Sequence, residues 1–317
     1  MFGVDMSKKL SGQRILVTGA SGFIGTRLCR LLSNENVEIH ALSRIKRFDK
    51  ENNLRWWQGD ITDITTVREL LHVIKPDIIV HLAAVNYSAR DLELVFPTFN
   101  VNVVTTINLL MAVTEVGCHR VILIGSLEEP ERDAIPSSPY AASKWVCSAY
   151  GKMFHLLYQL PIVILRVFMV YGPAQLDSRK LIPSVILSLL QGKAPKISSG
   201  ERQVDWIYID DVVYGILEAA HMPNVEGNTI DLGSGILISI RSVVNKIVEI
   251  INPRFEPLFG ALQDRPFEQI RAADTAITYA KLGWKPLTSL EKGLEYTVKW
   301  FREQLPIYLK NSNLLQK

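Results

Sequence analysis

The sequence has few cysteines, little net charge and no long apolar run, and each shortage excludes a class of protein. Its 317 residues include three cysteines, at positions 29, 118 and 147. This odd number and wide spacing argue against a disulfide framework and against a zinc site, so no metal is predicted. We expect Cys29 and Cys118, which lie among apolar residues, to be buried thiols.

The low net charge and the lack of a recognisable targeting segment indicate which partners and which location to expect. The formal net charge is only +3, and Lys and Arg are scattered along the chain, so we expect no nucleic-acid partner. No apolar run approaches the length of a membrane span, and residues 1–14 contain no segment of signal-peptide length. We therefore expect a cytoplasmic protein with no membrane partner.

Short apolar runs alternate with segments of helical spacing as far as residue 172. The runs are "RILVT", "VEIHALSR", "LRWWQGD", "DIIVHLAAV", "RVILIGS" and "PIVILRV". Continuous apolar strands separated by helices predict an α/β fold, a Rossmann-type doubly wound parallel sheet. Beyond "VYGP" the segments shorten, and proline and glycine are more frequent. We predict one domain over 11–172 and a smaller C-terminal lobe over 173–310, with elements near 204–235 returning to the first domain.

A glycine-rich turn follows the first strand. Glycine lets the chain turn tightly and lets backbone N–H groups approach a pyrophosphate at the N-terminus of the next helix. The spacing is GxxGxxG rather than GxGxxG, but the strand–turn–helix context is that of a dinucleotide site. We predict NAD(P) binding here, with a purely structural turn as the alternative. The predicted contacts are Gly19, Ser21, Gly22, Phe23, Ile24 and Gly25.

The end of the second strand lacks an acidic residue. An NAD site usually has Asp or Glu there, about 20 residues past the glycines, to bind the ribose 2′-hydroxyl. Arg44 stands in that place with two more cations close behind. Cations suit a 2′-phosphate, so NADP is favoured and NAD is the alternative, although a solvated basic loop also fits. Asp60 and Ile61 follow the third strand and suit the adenine amino group and ring, but Asp60 fits a turn equally well.

Eleven short motifs occur in one order along nearly the whole chain. They are "TGASGFIG", "GDITD", "HLAAV", "NVNVVTTINLL", "VILIGS", "YAASK", "LRVFMVYGP", "VDWIYIDDVV", "DLGSG", "RPFEQ" and "LGWKP". Together they resemble the extended short-chain dehydrogenase/reductase family, in its nucleotide-sugar branch of epimerases, dehydratases and 4-ketoreductases. The resemblance implies an NAD(P)-dependent enzyme, a nucleotide-sugar partner bound by the smaller lobe, and a homodimer. It adds Leu82, Ala83, Ala84 and Asn102 to the cofactor contacts.

The motif "YAASK" places Tyr140 and Lys144 one helical turn apart. Alone, this pattern fits a surface helix. The resemblance makes Tyr140 the acid/base at the sugar carbon, and Lys144 the ligand of the nicotinamide ribose. Phenol has a pKa near 10, and we expect the Lys144 ammonium and the cationic nicotinamide to favour phenolate. By the same resemblance, Ser126 hydrogen-bonds the substrate oxygen. A loop-capping Ser126 is the alternative.

The stretch after Ser126 decides which reaction follows. Glu128 stands where related 4,6-dehydratases carry the base that removes the proton at C5 of the sugar. Related 4-keto-6-deoxysugar reductases also carry Ser-x-Glu-Glu, and a solvated loop is the third alternative. Pro130 and Glu131 then replace the usual Tyr-Gly of the family.

The second lobe also departs from the family. Met169 stands where many relatives have Asn, and Val204 where many have Arg. We predict that Arg202 takes over a diphosphate contact, and Arg265 of "RPFEQ" matches the family's diphosphate-binding arginine. A guanidinium suits phosphate through its paired donors.

These observations predict an NADP-dependent oxidoreductase that acts at C4 of a nucleotide-linked sugar. The first hypothesis is a 4-ketoreductase of an NDP-4-keto-6-deoxyhexose, because the basic strand end favours NADPH and Ser-x-Glu-Glu resembles those reductases. The alternative is an NDP-sugar 4-epimerase or 4,6-dehydratase that retains its cofactor. A non-catalytic NADP-sensing protein is a further alternative.

Overall fold

The fold is taken from a computed structural model, which describes residues 9–48, 53–131 and 134–314. The strands are β1 Arg14–Thr18, β2 Glu38–Ser43, β3 Leu54–Gln58, β4 Ile78–His81, β5 Arg120–Ser126, β6 Ile162–Val167, β7 Met169–Tyr171, β8 Gln203–Tyr208, β9 Thr229–Leu232 and β10 Leu237–Ser239. The α-helices are α1 Phe23–Leu32, α2 Ile64–Ile74, α3 Val95–Thr98, α4 Thr105–Val116, α5 Pro139–Tyr158, α6 Leu181–Leu190, α7 Ile209–His221, α8 Ile240–Ile251, α9 Thr275–Leu282 and α10 Leu290–Leu314.

Seven of these strands form one parallel sheet in the order β3-β2-β1-β4-β5-β6-β9. The chain reverses its direction of winding between β1 and β4, where Thr18 pairs with His81. At such a reversal the loops diverge, and a crevice opens at the carboxyl ends of the strands. The predicted Rossmann-type fold is confirmed.

Helices cover both faces of the sheet because the strands are apolar on both sides. On one face, α2, α4 and α5 contribute buried side chains such as Leu71, Leu110 and Phe154 to one core. On the other face, α1 and α7 contribute Leu28 and Ile216 to a core that continues into the C-terminal lobe. The continuous apolar runs of the strands thus follow directly from burial on both faces of the sheet.

The C-terminal lobe is built on a second, three-stranded sheet of order β10-β8-β7. Strand β9 instead pairs with β6 in the large sheet. The buried carboxylate of Asp205 on β8 accepts hydrogen bonds from the backbone N–H groups of Ser234, Gly235 and Ala273, at 2.6, 2.9 and 2.9 Å. This residue therefore fixes the loop after β9 against the segment that leads into α9.

The sequence predicts that Asp210 or Asp211 caps the helix after "DWIYI", and that the tail "YLKNSNLLQK" over 308–317 is loose. Both predictions are wrong for the described residues, which end at 314. Helix α7 begins at Ile209, and no side chain caps it. Of the two predicted caps, Asp210 pairs with Arg27 at 2.6 Å, and Asp211 accepts from the backbone N–H of Leu287 at 3.1 Å. Both carboxylates therefore bind distant segments instead of their own helix. The C-terminal segment, predicted to be loose, continues helix α10 as far as Leu314.

The helical stretch over 92–116 consists of four segments with three different geometries. A 3₁₀ turn over Leu92–Leu94 and α3 lead into a π-helix over Phe99–Val104, followed by α4. π-Helical turns are frequent at functional sites. By length and composition this stretch is the one helix in the described ranges that is able to cross a membrane, which the expectation from apolar runs overlooked because polar residues interrupt it. Its most apolar window is 39% buried inside the fold, as in the core helices of many proteins, so the signal is weak.

The three cysteines form no disulfide. Cys29 and Cys147 are buried, and the first agrees with the prediction. Cys118 is half-buried, and burial raises the pKa of its thiol to about 12.

Candidate active site

A cavity of about 390 Å³ lies beyond the carboxyl ends of β1 to β4. It occupies the crevice at the winding reversal, where a dinucleotide fold binds its ligand. Most of the predicted cofactor contacts line it: Gly19, Ser21, Gly22, Arg44, Asp60, Ile61, Leu82, Ala83 and Ala84.

The glycine turn at the cavity floor leaves no room for side chains. Gly19 has a φ of +66°, and a Cβ there would lie 2.7 Å from the backbone nitrogen of Ala83. A Cβ on Gly25 would meet the carbonyl oxygen of Gly19 and would lie 2.7 Å from Cα of Ala20. The start of α1 therefore packs directly on the turn, with its N-terminus at the cavity. This arrangement fits the pyrophosphate of a dinucleotide.

We expect Gly25→Ala to lower the free energy of unfolding by about 1–3 kcal/mol, because the added methyl group meets backbone that cannot rotate away. Gly22→Ala is the matched control, since its Cβ would meet only the Gly19 oxygen, at 3.2 Å. Urea denaturation of both variants measures the difference. Equal stability of the two variants would contradict the tight packing of this turn.

The adenosine end of the cavity contains Ser43, Arg44 and Asp60. One carboxylate oxygen of Asp60 accepts from the backbone N–H and the hydroxyl of Thr62, at 3.0 and 2.9 Å. Asp60 thus shapes a turn, one of its two predicted roles, while it also lines the cavity. The hydroxyl of Ser43 accepts from the backbone N–H of Ile45 at 3.2 Å, and this bond shapes the loop that carries Arg44.

A second cavity of about 200 Å³ continues from the first, and both are lined by Gly19, Gly22, Leu82 and Ala84. The remaining predicted contacts of the glycine turn, Phe23, Ile24 and Gly25, also line this second cavity. At its inner end the structure brings together all four predicted catalytic residues: Ser126, Glu128, Tyr140 and Lys144. One crevice therefore joins the glycine turn to the catalytic cluster.

Two elements position the catalytic cluster. Ser126 is the last residue of β5, and Tyr140 and Lys144 lie on α5, which begins after Ser138 caps the backbone N–H of Ala141 at 3.1 Å. The hydroxyls of Tyr140 and Ser126 are hydrogen-bonded to each other. Nζ of Lys144 donates to the carbonyl of Ile124 at 2.8 Å and lies 6.0 Å from the centre of the Tyr140 ring.

The electrostatics of Tyr140 differ from the expectation of a lowered pKa. Burial raises the pKa of the Tyr140 phenol, the charge of Glu128 raises it further, and the hydrogen bond with Ser126 opposes both. Burial also lowers the pKa of Lys144. The main cause of the difference is burial of the phenol. The charges of Glu128 and Glu129 add to it, while the Lys144 ammonium is directed to a backbone carbonyl.

Four polar residues of this cavity were missed from the sequence: Asn86, Ser88, Gln175 and Lys180. The hydroxyl of Ser88 donates to Oε1 of Glu128 at 2.8 Å. Nζ of Lys180 donates to the carbonyl of Asn86 at 2.7 Å, and burial lowers the pKa of Lys180. A lysine directly before the apolar helix α6 was a usable signal for Lys180. The loop after β4 carried no such signal.

Arg271 was also missed, and it explains the unusual residues after Ser126. Its guanidinium donates to the carbonyl of Leu127 at 3.0 Å and pairs with Glu131 at 2.9 Å. The C-terminal lobe therefore holds the loop that carries Glu128. Glu131, which replaces a glycine of the family pattern, supplies the anion for this contact.

The structure does not bring three of the predicted residues to either cavity. The amide of Asn102 accepts from the backbone N–H of Val85 at 2.7 Å and donates to Ser143 at 2.8 Å, so it links helices instead of lining the crevice. Arg202 pairs with Glu268 at 2.9 Å. Arg265 is exposed on the same segment as Glu268. Over residues 9–48, 53–131 and 134–314, no cluster of His, Cys, Asp and Glu suits a metal ion.

A parallel sheet with a crevice that runs from a glycine turn to a tyrosine and a lysine defines a dinucleotide-dependent enzyme of the extended short-chain dehydrogenase/reductase type. The sequence profile of the NAD dependent epimerase/dehydratase family matches residues 15–233, and the chain belongs to that family. The predicted family and the predicted enzyme class are both confirmed.

Relatives within the family cover nearly the whole chain. UDP-glucuronate 4-epimerase of Thermodesulfobacterium geofontis is 28% identical over 92% of this chain and 97% of its own length. dTDP-glucose 4,6-dehydratase of Escherichia coli is 29% identical over 91% of this chain and 93% of its own. The structure of UDP-glucuronic acid 4-epimerase from Bacillus cereus, in complex with UDP-glucuronic acid and NAD, matches with a TM-score of 0.82 at 27% identity, over 92% of this chain and 99% of that chain. An epimerase from Methanothermobacter thermautotrophicus has a TM-score of 0.89 at 23% identity, over 98% and 99% of the two chains, a likeness in fold alone.

Proposed function

We propose that the protein is an NADP-dependent oxidoreductase that acts at C4 of a nucleotide-linked sugar, and that it reduces a 4-keto-6-deoxy sugar. One observation supports this assignment of the reaction site. Ser126, Tyr140 and Lys144 converge at the inner end of the crevice that begins at the glycine turn. The nicotinamide, when bound, supplies the hydride for the sugar carbon. The side chains of this chain handle the accompanying proton.

Tyr140 is the proton donor in this scheme. Its raised pKa keeps the phenol protonated at neutral pH, which is the state that ketone reduction needs. The hydroxyl of Ser126 binds the same sugar oxygen and steadies the charge that develops there. Lys144 holds the nicotinamide ribose, at a place where its burial and its bond to the Ile124 carbonyl fix the ammonium.

The preference for NADP rests on Arg44. Its side chain lines the adenosine end of the crevice, where Asp60 is the one carboxylate among the described lining residues. Asp60 is already engaged with Thr62. A guanidinium is a strong partner for a 2′-phosphate because it donates in pairs.

The nucleotide end of the substrate is assigned to Arg202 and Arg265. Both lie on the C-terminal lobe, and the charges of both guanidinium groups act on Glu268. This local positive charge suits a diphosphate. The relatives named above include enzymes of UDP- and dTDP-sugars, so a pyrimidine nucleotide is the proposed base.

The proposal is tested by incubating the protein with a panel of nucleotide sugars and 4-keto-6-deoxy intermediates, with and without NADPH. Stoichiometric loss of NADPH with a 4-keto substrate is the expected result. No turnover with any member of the panel, alongside tight NADPH binding, would overturn the proposal.

A 4-epimerase is the second candidate, because one relative at 28% identity is named UDP-glucuronate 4-epimerase. Conversion without net NADPH loss would support it. A keto product in that assay would indicate a 4,6-dehydratase, with Glu128 as the C5 base.

We further propose a homodimer built on α5 and the stretch over 92–116. Large apolar side chains are exposed there, among them Phe96, Phe99, Met111 and Trp145. We expect light scattering to give twice the mass of one chain, and Phe96→Glu to give single chains, because a charge at the interface is costly to bury. Leu262→Glu, at an exposed apolar residue of the other lobe, is the control that stays dimeric. A wild-type protein of single-chain mass would contradict this interface.

A further inference from the structure

Glu129 is a buried carboxylate that the proposed reaction does not use. It follows Glu128 in the stretch "GSLEEPE", but it is not among the residues that line the substrate cavity, and it is only 5% exposed. A carboxylate is rarely buried unless it is paired or hydrogen-bonded. Its surroundings therefore show what it does.

Two partners of Glu129 donate to it from two different elements. Oε1 accepts from the backbone N–H of Ser126, the end of β5, at 2.7 Å. The hydroxyl of Ser148, on α5, is its second partner. The carboxylate also fills the space beside Gly125, where a Cβ would collide with Oε1. Burial raises the pKa of the Glu129 carboxyl, and the contacts with Ser126 and Ser148 oppose this shift, because a deprotonated carboxylate accepts from both partners.

We propose that Glu129 is a positioning residue that ties the end of β5 to α5 and so aligns Ser126 with Tyr140. The two catalytic hydroxyls lie on different elements, and Glu129 bridges those same elements from behind. This inference rests on the oxidoreductase activity proposed above, and it gives the second glutamate of Ser-x-Glu-Glu a separate task from the first.

The charge of Glu129 acts on the same cluster. Its neighbours on α5 are Lys144, Tyr140 and Cys147. Its neighbour on β6 is Arg166, which pairs with Asp231 at 2.7 Å. Burial raises the pKa of the Cys147 thiol, so that neighbour is neutral. A carboxylate stabilises the Lys144 ammonium and disfavours the Tyr140 phenolate. It therefore raises the pKa of both groups.

Two substitutions of Glu129 distinguish the effect of its bridging hydrogen bonds from the effect of its negative charge. Glu129→Gln keeps an oxygen that accepts from Ser126, and the Ser148 hydroxyl is able to accept from the new amide. We expect it to retain kcat at its own optimum, but to move the pH–rate profile to lower pH by about one unit, because the pKa of both Tyr140 and Lys144 falls. Glu129→Ala removes the bridge, and we expect kcat to fall about tenfold or more with a smaller change in KM.

Hydrogen exchange of the full chain tests the bridge without any turnover. We expect faster exchange in peptides covering 120–131 and 139–150 for Glu129→Ala, and wild-type exchange for Glu129→Gln. Glu69→Gln, the same substitution at an exposed site on α2, is the control for both readouts.

The outcomes for Glu129 and for the proposed function are distinct. Wild-type kcat and exchange in Glu129→Ala would overturn the positioning role, whatever the substrate. If that variant does not fold, Ser148→Ala, which removes only the partner on α5, takes its place, and wild-type kcat and exchange in Ser148→Ala would overturn the role. If the wild-type protein turns over no nucleotide sugar, the proposed function fails, and exchange in the Ala variant alone decides the role of Glu129.

Discussion

Tyr140→Phe is expected to lower kcat by a factor between about 10² and 10⁴, the usual contribution of a positioned general acid or base. The substitution removes one oxygen and keeps the ring, so the packing of the N-terminal turn of α5 is preserved. Burial and Glu128 raise the pKa of this phenol, which makes it the protonated partner of the Ser126 hydroxyl. Without it, the reacting sugar oxygen has no proton donor at the inner end of the crevice.

Three measurements make the result specific. NADPH affinity, followed by the fluorescence of the bound cofactor, is expected to stay within about twofold of wild type, because the phenol is not its main ligand. Ser126→Ala is expected to give a smaller loss, about 10- to 100-fold, since it removes a hydrogen bond and not the proton donor. Thermal denaturation verifies the fold of both variants. Full activity in Tyr140→Phe would refute the proposed chemistry.

The parts of this molecule that were predictable from sequence depend on local pattern. Apolar runs of strand length made β1 to β6 visible, because strands buried on both faces carry no polar alternation. The glycines at 19 and 25 were visible in the sequence, and the structure shows why glycine is needed there: the backbone approaches both positions too closely for any side chain. Ser126 and Tyr140 could be placed together because β5 and α5 are consecutive elements of a parallel fold.

The parts that were not predictable depend on which distant segments meet. Asp210 and Asp211 have the composition of helix caps, but an arginine on α1 and the loop before α10 bind them more directly. Ser88 and Arg271 touch the catalytic loop from segments that carry no recognisable motif. Local propensity is a weak guide wherever a buried charge finds a partner from another element.

Arg44→Asp is expected to reverse the cofactor preference, and this is the second large effect. A charge-assisted hydrogen bond contributes about 1.5–3 kcal/mol, and each 1.4 kcal/mol is a factor of ten in affinity. The variant also places a carboxylate beside the 2′-phosphate, so we expect the Kd for NADPH to rise by about 100-fold or more. The new carboxylate suits the ribose 2′-hydroxyl, and the affinity for NADH is expected to rise.

The control for this experiment is a neighbouring cation with a different environment. Lys46 lies 5.3 Å from the ring centre of Phe48 and does not line the cavity, so Lys46→Ala is expected to change neither affinity by more than about twofold. Titration of both cofactors against wild type, Arg44→Asp and Lys46→Ala separates a specific 2′-phosphate contact from general attraction by a basic loop. Equal losses in the two variants would favour the solvated loop.

Tighter binding of NADH than of NADPH by the wild-type protein would remove the argument for NADPH as reductant and favour the 4-epimerase, whose cofactor is regenerated in each cycle.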